Sequence, residues 1–511
     1  MTKRAGGAPL ATLGDDAQQL RGRRAQVYRT VVDQIRAGVL VPGTRLPSAR
    51  QLAREWQVAR GVIDEAFAQL QADGLVERRV GDGSYVRHDV PVAQIRPSPE
   101  TAPEANEAAR RRLEQFSPYM TLARAFELPR QQFHPPVLHP RAWPEAEFPL
   151  DRWRRLVTAA LQEEWRDHLG YGPTAGLPTL RSAIARHVAL TRGLHCSADQ
   201  VIVVNGPLQA METIARVLLK PGDTVWVEDP SHPSLPLLME MLHARVVGVP
   251  LDDEGFDVAR GVALAPEARL AYLHPLAQFP LGTPTSRARG DALLAWAARE
   301  ERWIVEGCFN DEIVHRAPAP AALMARDGAE RVIMMGTFEG IVFPSLRIGY
   351  LVVPERLADV FITARGPLGD HTPVAQQLAL EAFIDGGHLS AHLRHLRDAL
   401  GRRREAFRQA VRRWLPADVI LGRTDTAWHA CLHLPAHWRD TDVLQRLRRR
   451  RIGAEALSAR CWQATGFNGL VVAYAEGTPA EIEAAVKGIA DVLAEMPGAA
   501  EAGTAAPPFL A

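Results

Sequence analysis

Lysine is the scarcest reactive residue in this chain of 511, occurring only at Lys3, Lys220 and Lys487. Chemistry that needs a lysine amine as nucleophile therefore has three candidates. Lys220 falls in the turn-like run Lys220-Pro221-Gly222-Asp223 and Lys487 on an amphipathic helical pattern, so both read as surface residues. The other basic residues are arginine: Arg60 opens a predicted helix, Arg50 sits on the helix before it, and Arg45, Arg78 and Arg79 flank a turn and the hairpin that carries Gly81 and Gly83. Long arginine donors on an outer helix face suit base edges and phosphates in a DNA groove, and glycines let a turn come close to a sugar-phosphate chain. His429, Cys431 and His433 alternate, so on a strand they share one face, as metal ligands would. The plainer reading is three core side chains, and no metal is assigned. Cys308 offers a redox option, but Cys196, Cys308, Cys431 and Cys461 lie far apart with no CxxC pair. That excludes a disulfide scaffold and a zinc-finger framework.

These side chains need elements to hold them. Apolar residues make up 47% and charged residues 23% of the chain, an ordinary globular composition. Net charge is +1, which excludes a polybasic coat, and the absence of a long apolar run predicts a cytoplasmic protein with no membrane partner. Charge is uneven. Arg21 to Asp89 holds 12 arginines against 8 acidic residues, a surplus of four, so the remainder carries −3. In that basic stretch Val27, Val31, Val32 and Ile35 mark a first helix stopped at Gly38. Ser48 caps a second, a third runs from about Arg60 to Ala72 and ends at Gly74, and two short strands flank Gly81-Asp82-Gly83. Helix, helix-turn-helix and hairpin make a winged helix.

The larger part alternates strands and helices. Strands are predicted at Val201–Val204, Thr224–Glu228, Val246–Leu251, Leu270–His274, Trp303–Glu306, Val332–Met335 and Ile348–Val353. This is an α/β pattern with a mostly parallel sheet. Strands Trp428–Leu434 and Gly469–Ala475 and a helix from Ala480 to Leu493 predict a separate small α+β lobe. The expected organisation is a winged-helix DNA-binding domain at 20–89, a linker at 90–147 with a helix near Glu107–Phe116, a large domain at 148–385, a small lobe at 386–496 and a disordered tail at 497–511.

The run GVLVPGTRLPSARQLAREWQVARGVIDEAFAQLQADGLVERRVGDGSYV resembles the GntR-type winged-helix repressors. By that resemblance Arg50, Arg60 and Gly81 match positions that contact DNA. With Arg45, Ser48, Arg79 and Gly83 they form the expected DNA-binding set. Two features depart from the pattern: Ala59 replaces the usual Ser or Thr, and Gly61-Val62 replace a polar pair. Phe148 to Leu493 resembles the fold-type I aminotransferases, through YGPTAGLPTLRSAIARHVALTRGLHCSADQVIVVNG, LLKPGDTVWVEDPSHP, QFPLGTPTSRAR and GTFEGIVFPSLRIGYLVVP. The two parts together resemble the MocR-type regulators, in which the body binds pyridoxal phosphate as a sensor, sometimes with an amino compound.

That cofactor needs a lysine amine, a carboxylate at its pyridine nitrogen, a phenol at its ring hydroxyl and donors for its phosphate. Position by position, the resemblance places Gly340 at the lysine, Gly307 at the carboxylate and Phe309 at the phenol. His232 falls at the stacking tyrosine, and Pro275-Leu276-Ala277-Gln278 lacks the family's polar pair. Only Arg347, the phosphate-side arginine, stands. The expectation is a retired cofactor pocket, now lined by His232, His274, Cys308, Asn310, Asp311, Glu339 and Arg347, with no catalytic residue. The scaffold is expected to serve a homodimer that places two modules on double-stranded operator DNA, with another small-molecule effector or none. Two alternatives stay open: pyridoxal phosphate held non-covalently through Arg347, and a working aminotransferase.

Overall fold

The computed structural model describes residues 23–36, 39–79, 82–87, 135–162, 168–313, 320–368, 371–425 and 428–496. The readings at Gly38, Gly81, the helix near Glu107–Phe116 and the tail from Pro497 lie outside the described residues. The chain forms two compact units, Met1–Met120 and Thr121–Ala511.

In the first unit, α1 (Arg23–Arg36), α2 (Ala49–Glu55) and α3 (Arg60–Ala72) precede a hairpin of β1 (Val76–Arg79) and β2 (Gly83–Val86). The hairpin pairs Val76 with Val86 and Arg79 with Gly83. Val27, Val31 and Ile35 of α1 meet Leu52 of α2, Ile63, Phe67 and Leu70 of α3, and both hairpin valines in one buried cluster. Each large apolar side chain buried there contributes about 1.5–3 kcal/mol. Gly74 takes φ +70°, a left-handed turn that stops α3 and that a side chain would disfavour.

The second unit holds α4 (Leu150–Gln162), α5 (Pro178–Arg192), β3 (Val201–Val204), α6 (Pro207–Leu218), β4 (Thr224–Asp229), β5 (Arg245–Asp252), β6 (Gly255–Phe256) and β7 (Leu270–Leu273). Then come α7 (Arg287–Arg299), β8 (Trp303–Cys308), β9 (Val332–Thr337) and β10 (Gly349–Val352). The sheet runs β3-β10-β9-β8-β7-β4-β5-β6. β5, β4, β7, β8 and β9 are parallel, and β10 runs antiparallel between β9 and β3. The sheet's main strands are apolar on both faces because both faces are covered, as parallel sheets require. The carboxyl ends of the parallel strands β5, β4, β7, β8 and β9 share one edge, where ligands gather in open α/β sheets.

The smaller lobe follows α8 (Val374–Asp385) and α9 (His388–Trp414). Its sheet is built from β11 (Ile420–Leu421), β12 (His429–His433), β13 (Glu455–Ala456) and β14 (Gly469–Ala473), in the order β11-β12-β14-β13, and α10 (Pro479–Ala494) closes it. It shares a continuous core with α5 and β3, which contribute Leu180, Ile184, Val188, Val201 and Val203, so it is less separate than its sequence pattern predicts. The linker also ends earlier than predicted. Leu138 is fully buried and bridges Ala473, and the indole of Trp143 donates to the Gly340 carbonyl at 2.8 Å. Apolar residues among the prolines of 135–147 have a core to join, so composition alone misplaced that bound. Among the described residues, no helix is long and apolar enough to cross a membrane.

Candidate functional site

The winged-helix unit displays its arginines on exposed surface, and it has already found partners for most of them. Arg60 opens α3, and its Nε lies 3.3 Å from Asp64, one turn on. Arg78, reaching across from β1, lies 3.3 Å from the other Asp64 oxygen. Arg79 donates to Glu77 at 2.8 Å and covers the Tyr85 ring at 4.5 Å. Arg45 donates to the Asp82 carbonyl, and Gly83 at φ +134° leaves the space its guanidinium takes: a Cβ there would sit 3.2 Å from Arg45 Nε. Ser48 accepts from Gln51 N at 3.2 Å, so its oxygen is the cap of α2. Arg50 stands exposed in the first turn of α2. Ala59 gives α3 no side-chain cap; Val62 N donates to the Ala59 carbonyl at 3.0 Å, which leaves the N–H groups of Arg60 and Gly61 for water or phosphate.

Asp64 was not singled out from sequence, although its i,i+4 spacing from Arg60 was a readable signal. It faces the same way as the arginines it holds, and it would repel phosphates. Asp64→Ala is expected to tighten binding to arbitrary duplex DNA by roughly three- to tenfold at fixed salt, the scale of one gained phosphate contact. Fluorescence anisotropy with a scrambled duplex measures this. Unchanged or weaker binding would mean that the ion pairs hold the arginines in their binding positions.

The second cluster sits at the carboxyl edge of the large sheet. His274 follows β7 and lies between two partners: the Tyr272 hydroxyl is 2.7 Å from Nε2, and Glu228 is 3.0 Å from Nδ1. A single tautomer, with Nδ1–H donating to Glu228 and Nε2 accepting from Tyr272, serves both. Burial raises the pKa of Glu228 and of Tyr272. The Phe309 ring packs edge-on against His274 at 4.9 Å. A Cβ at Gly307 would come within 2.6 Å of His274 Cδ2 and 2.8 Å of Nε2, so a carboxylate at 307 has no room. His274, Gly307 and Phe309 thus form one group.

Beside them, Asn310 adopts φ +61° at the end of β8. This conformation turns its amide into the space beside Gly340, where a Cβ would overlap Asn310 Oδ1. That oxygen is buried without a hydrogen-bond partner. Arg347 lies 2.8 Å from Glu339 and donates to the Asn205 carbonyl at 3.1 Å. Gly206, at φ +97°, lies so close that any Cβ there would overlap Glu339 Oε1. Gly206, Asn205, Tyr272, Glu228 and Trp143 belong to this edge and were not predicted. Asn205 and Gly206 had a signal, since they connect a strand to a proline-started helix.

The remaining candidates make other contacts. His232 is exposed, with its ring 6.0 Å from Phe279. His429 is buried, its pKa pushed down to about 4 by burial, and its ring packs against Phe279 at 4.8 Å. Cys431 donates to the Pro280 carbonyl, and burial raises its thiol to about 12. Among the described residues, no group of three His, Cys, Asp or Glu side chains is arranged to hold a metal. Burial raises the Cys308 thiol well above its ordinary value, which argues against a reactive thiolate. Asp311 turns away from the cleft into a buried ion pair with Arg192.

Residues 23–86 match the model of the bacterial regulatory proteins of the gntR family, and residues 144–489 match that of the class I and II aminotransferases. The chain is 30% identical over 453 residues to the probable rhizopine catabolism regulatory protein MocR of Rhizobium meliloti, covering 88% of this chain and 89% of that one. It is 29% identical over 378 residues to the pyridoxine biosynthesis transcriptional regulator PdxR of Corynebacterium glutamicum, covering 73% and 75%. In fold, it is similar to the kynurenine aminotransferase of Pyrococcus horikoshii, with a TM-score of 0.66, 23% identity, and 74% of this chain and 94% of that one covered.

Proposed function

Since the chain belongs to the MocR-type GntR regulators, with a winged helix joined to a body of the class I and II aminotransferase family, we propose that it regulates transcription through operator DNA while its body works without covalently held pyridoxal phosphate. The body serves as a homodimer that presents two winged helices to two half-sites. Fold alone does not transfer activity, and we assign the body no catalytic residue.

One observation carries the cofactor-free reading: the space beside the Gly340 Cα is taken by the Asn310 amide. A lysine at 340 would need that amide to move. Two further contacts support it. The Gly307 position is closed by His274, and Glu339 lies on the arginine a phosphate would use. The residues at these positions do not fit pyridoxal phosphate. Arg347 alone favours non-covalent retention of the cofactor, and it is already paired.

Two experiments test the proposal. A gel-shift series with DNA from upstream of the chain's own gene should yield a specific complex. Purified protein incubated with pyridoxal phosphate and borohydride should yield no stoichiometric pyridoxyl adduct by mass spectrometry. A single adduct in the body would overturn the cofactor-free reading, and indifference to every fragment would overturn the regulator. Gly340→Lys is expected to stay adduct-free and to lose about 1–3 kcal/mol of stability, the usual cost of overpacking a filled site. A stable variant that takes up the cofactor stoichiometrically would show that Asn310 yields easily.

A further inference from the structure

We propose that Glu339 supplies, from within the chain, the anion for a cradle formed by the start of α6 and the guanidinium of Arg347. The inference builds on the cofactor-free reading of the cleft and says what took over the work of a bound phosphate group.

The cradle is shaped for an anion. α6 is 12 residues long, begins with Pro207 and has Gly206 as its N-cap, so no side chain satisfies its first-turn N–H groups. Such a helix start carries partial positive charge and attracts carboxylate or phosphate oxygens. Gly206 has φ +97°, and because it lacks a Cβ, Glu339 Oε1 can lie directly against it. Arg347 closes the other side. Its Nη1 is 2.8 Å from Glu339 Oε1, and its Nη2 donates to the Asn205 carbonyl, which immediately precedes Gly206. Arg347 itself has φ +53°, an uncommon conformation for a side-chain-bearing residue that persists only where neighbours fix it.

Glu339 is held in place from its own backbone as well. Its N–H donates to Thr337 Oγ1 at 3.1 Å, so the turn after β9 aims the side chain at the helix start. The side chain is 17% exposed, against 52% for Arg347. Two anions cannot share so small a space, so a phosphate group could enter only by displacing the carboxylate. Burial lifts the carboxyl to about 7, opposed by Arg347, so the carboxylate keeps its charge above neutral pH because that guanidinium is beside it. No other ion pair reaches Glu339 among the described residues.

Inorganic phosphate is the probe. The full chain is melted at pH 8 in a phosphate-free buffer, then with increasing phosphate at constant ionic strength. Wild type should show no saturable rise in melting temperature. Glu339→Ser should show one, with phosphate bound at least tenfold more tightly than by wild type, and Glu339→Ser combined with Arg347→Ala should lose it. Equal response of wild type and Glu339→Ser would overturn the proposal, as would a folded Glu339→Ser that ignores phosphate. If Glu339→Ser does not fold, Glu339→Gln keeps the volume and removes the charge, and affinity equal to wild type would be equally fatal. None of these outcomes depends on a borohydride-trapped adduct, so failure here and failure of the cofactor-free reading are separately visible.

Discussion

Arg192→Ala is expected to cost the body about 3–5 kcal/mol at pH 8, the scale of breaking a buried ion pair by removing one partner. Arg192 ends α5 and is 3% exposed. It pairs with Asp311 and lies 3.3 Å from Glu306. Glu306 also accepts from Leu323 N at 2.9 Å and Met324 N at 3.1 Å, so it fixes the segment that returns toward β9. Burial already raises Asp311 to about 7 despite the arginine. Without Arg192, two carboxylates remain buried with no arginine between them, and Asp311 is pushed further toward its protonated form.

The pH dependence follows in sign. An acid whose folded pKa is raised favours the folded state while protonated, and that contribution is lost as pH rises through the folded value. The deficit of the variant should therefore be smaller near pH 6 and larger at pH 8. Urea unfolding followed by tryptophan fluorescence at both pH values measures this. Arg192→Met, which keeps much of the packing, should show the same pH trend. Equal deficits at pH 6 and pH 8 would mean that lost packing, and not stranded charge, dominates.

The second large effect concerns DNA. Arg60→Ala should weaken operator binding by about 1–3 kcal/mol, or roughly 5- to 150-fold, if its guanidinium pairs with a guanine. Binding to a scrambled duplex should change much less. Arg50→Ala should instead weaken both duplexes alike and reduce the salt slope by about one, the signature of a phosphate contact. Titrations of both duplexes at several salt concentrations separate the two roles. Loss of operator affinity matched by equal loss on scrambled DNA would remove Arg60 as a base reader.

The strands were legible because their burial is extreme. Val201–Val204 and Leu270–Leu273 are wholly apolar runs between turn residues, and they form strands at or within a residue of the bounds their sequence suggests. The third helix of the winged unit was legible to the residue, since Ile63, Ala66, Phe67 and Leu70 keep helical spacing. The site was legible only as a set of positions. That Gly340, Gly307 and Arg347 lie at one edge follows from the order of the motifs. That Asn310 fills the space beside Gly340 depends on a left-handed turn, which an asparagine permits but does not dictate. Trp143 was missed because proline-rich composition says nothing about whether an indole within it finds a carbonyl. Arg192 was missed because a helix-ending arginine ordinarily faces water, and only the fold brings Asp311 to it.

The shared carboxylate of Asp64 bears on search as well as on grip. With Arg60 and Arg78 both engaged to it, the wing and recognition helix meet random chromosome with part of their attraction already occupied. If Arg60 pairs with a guanine, decoy sequences offer phosphates but no such partner in return for parting those ions. If Asp64→Ala tightens binding to scrambled duplex as expected, the native module would leave arbitrary sequence sooner than it leaves its operator.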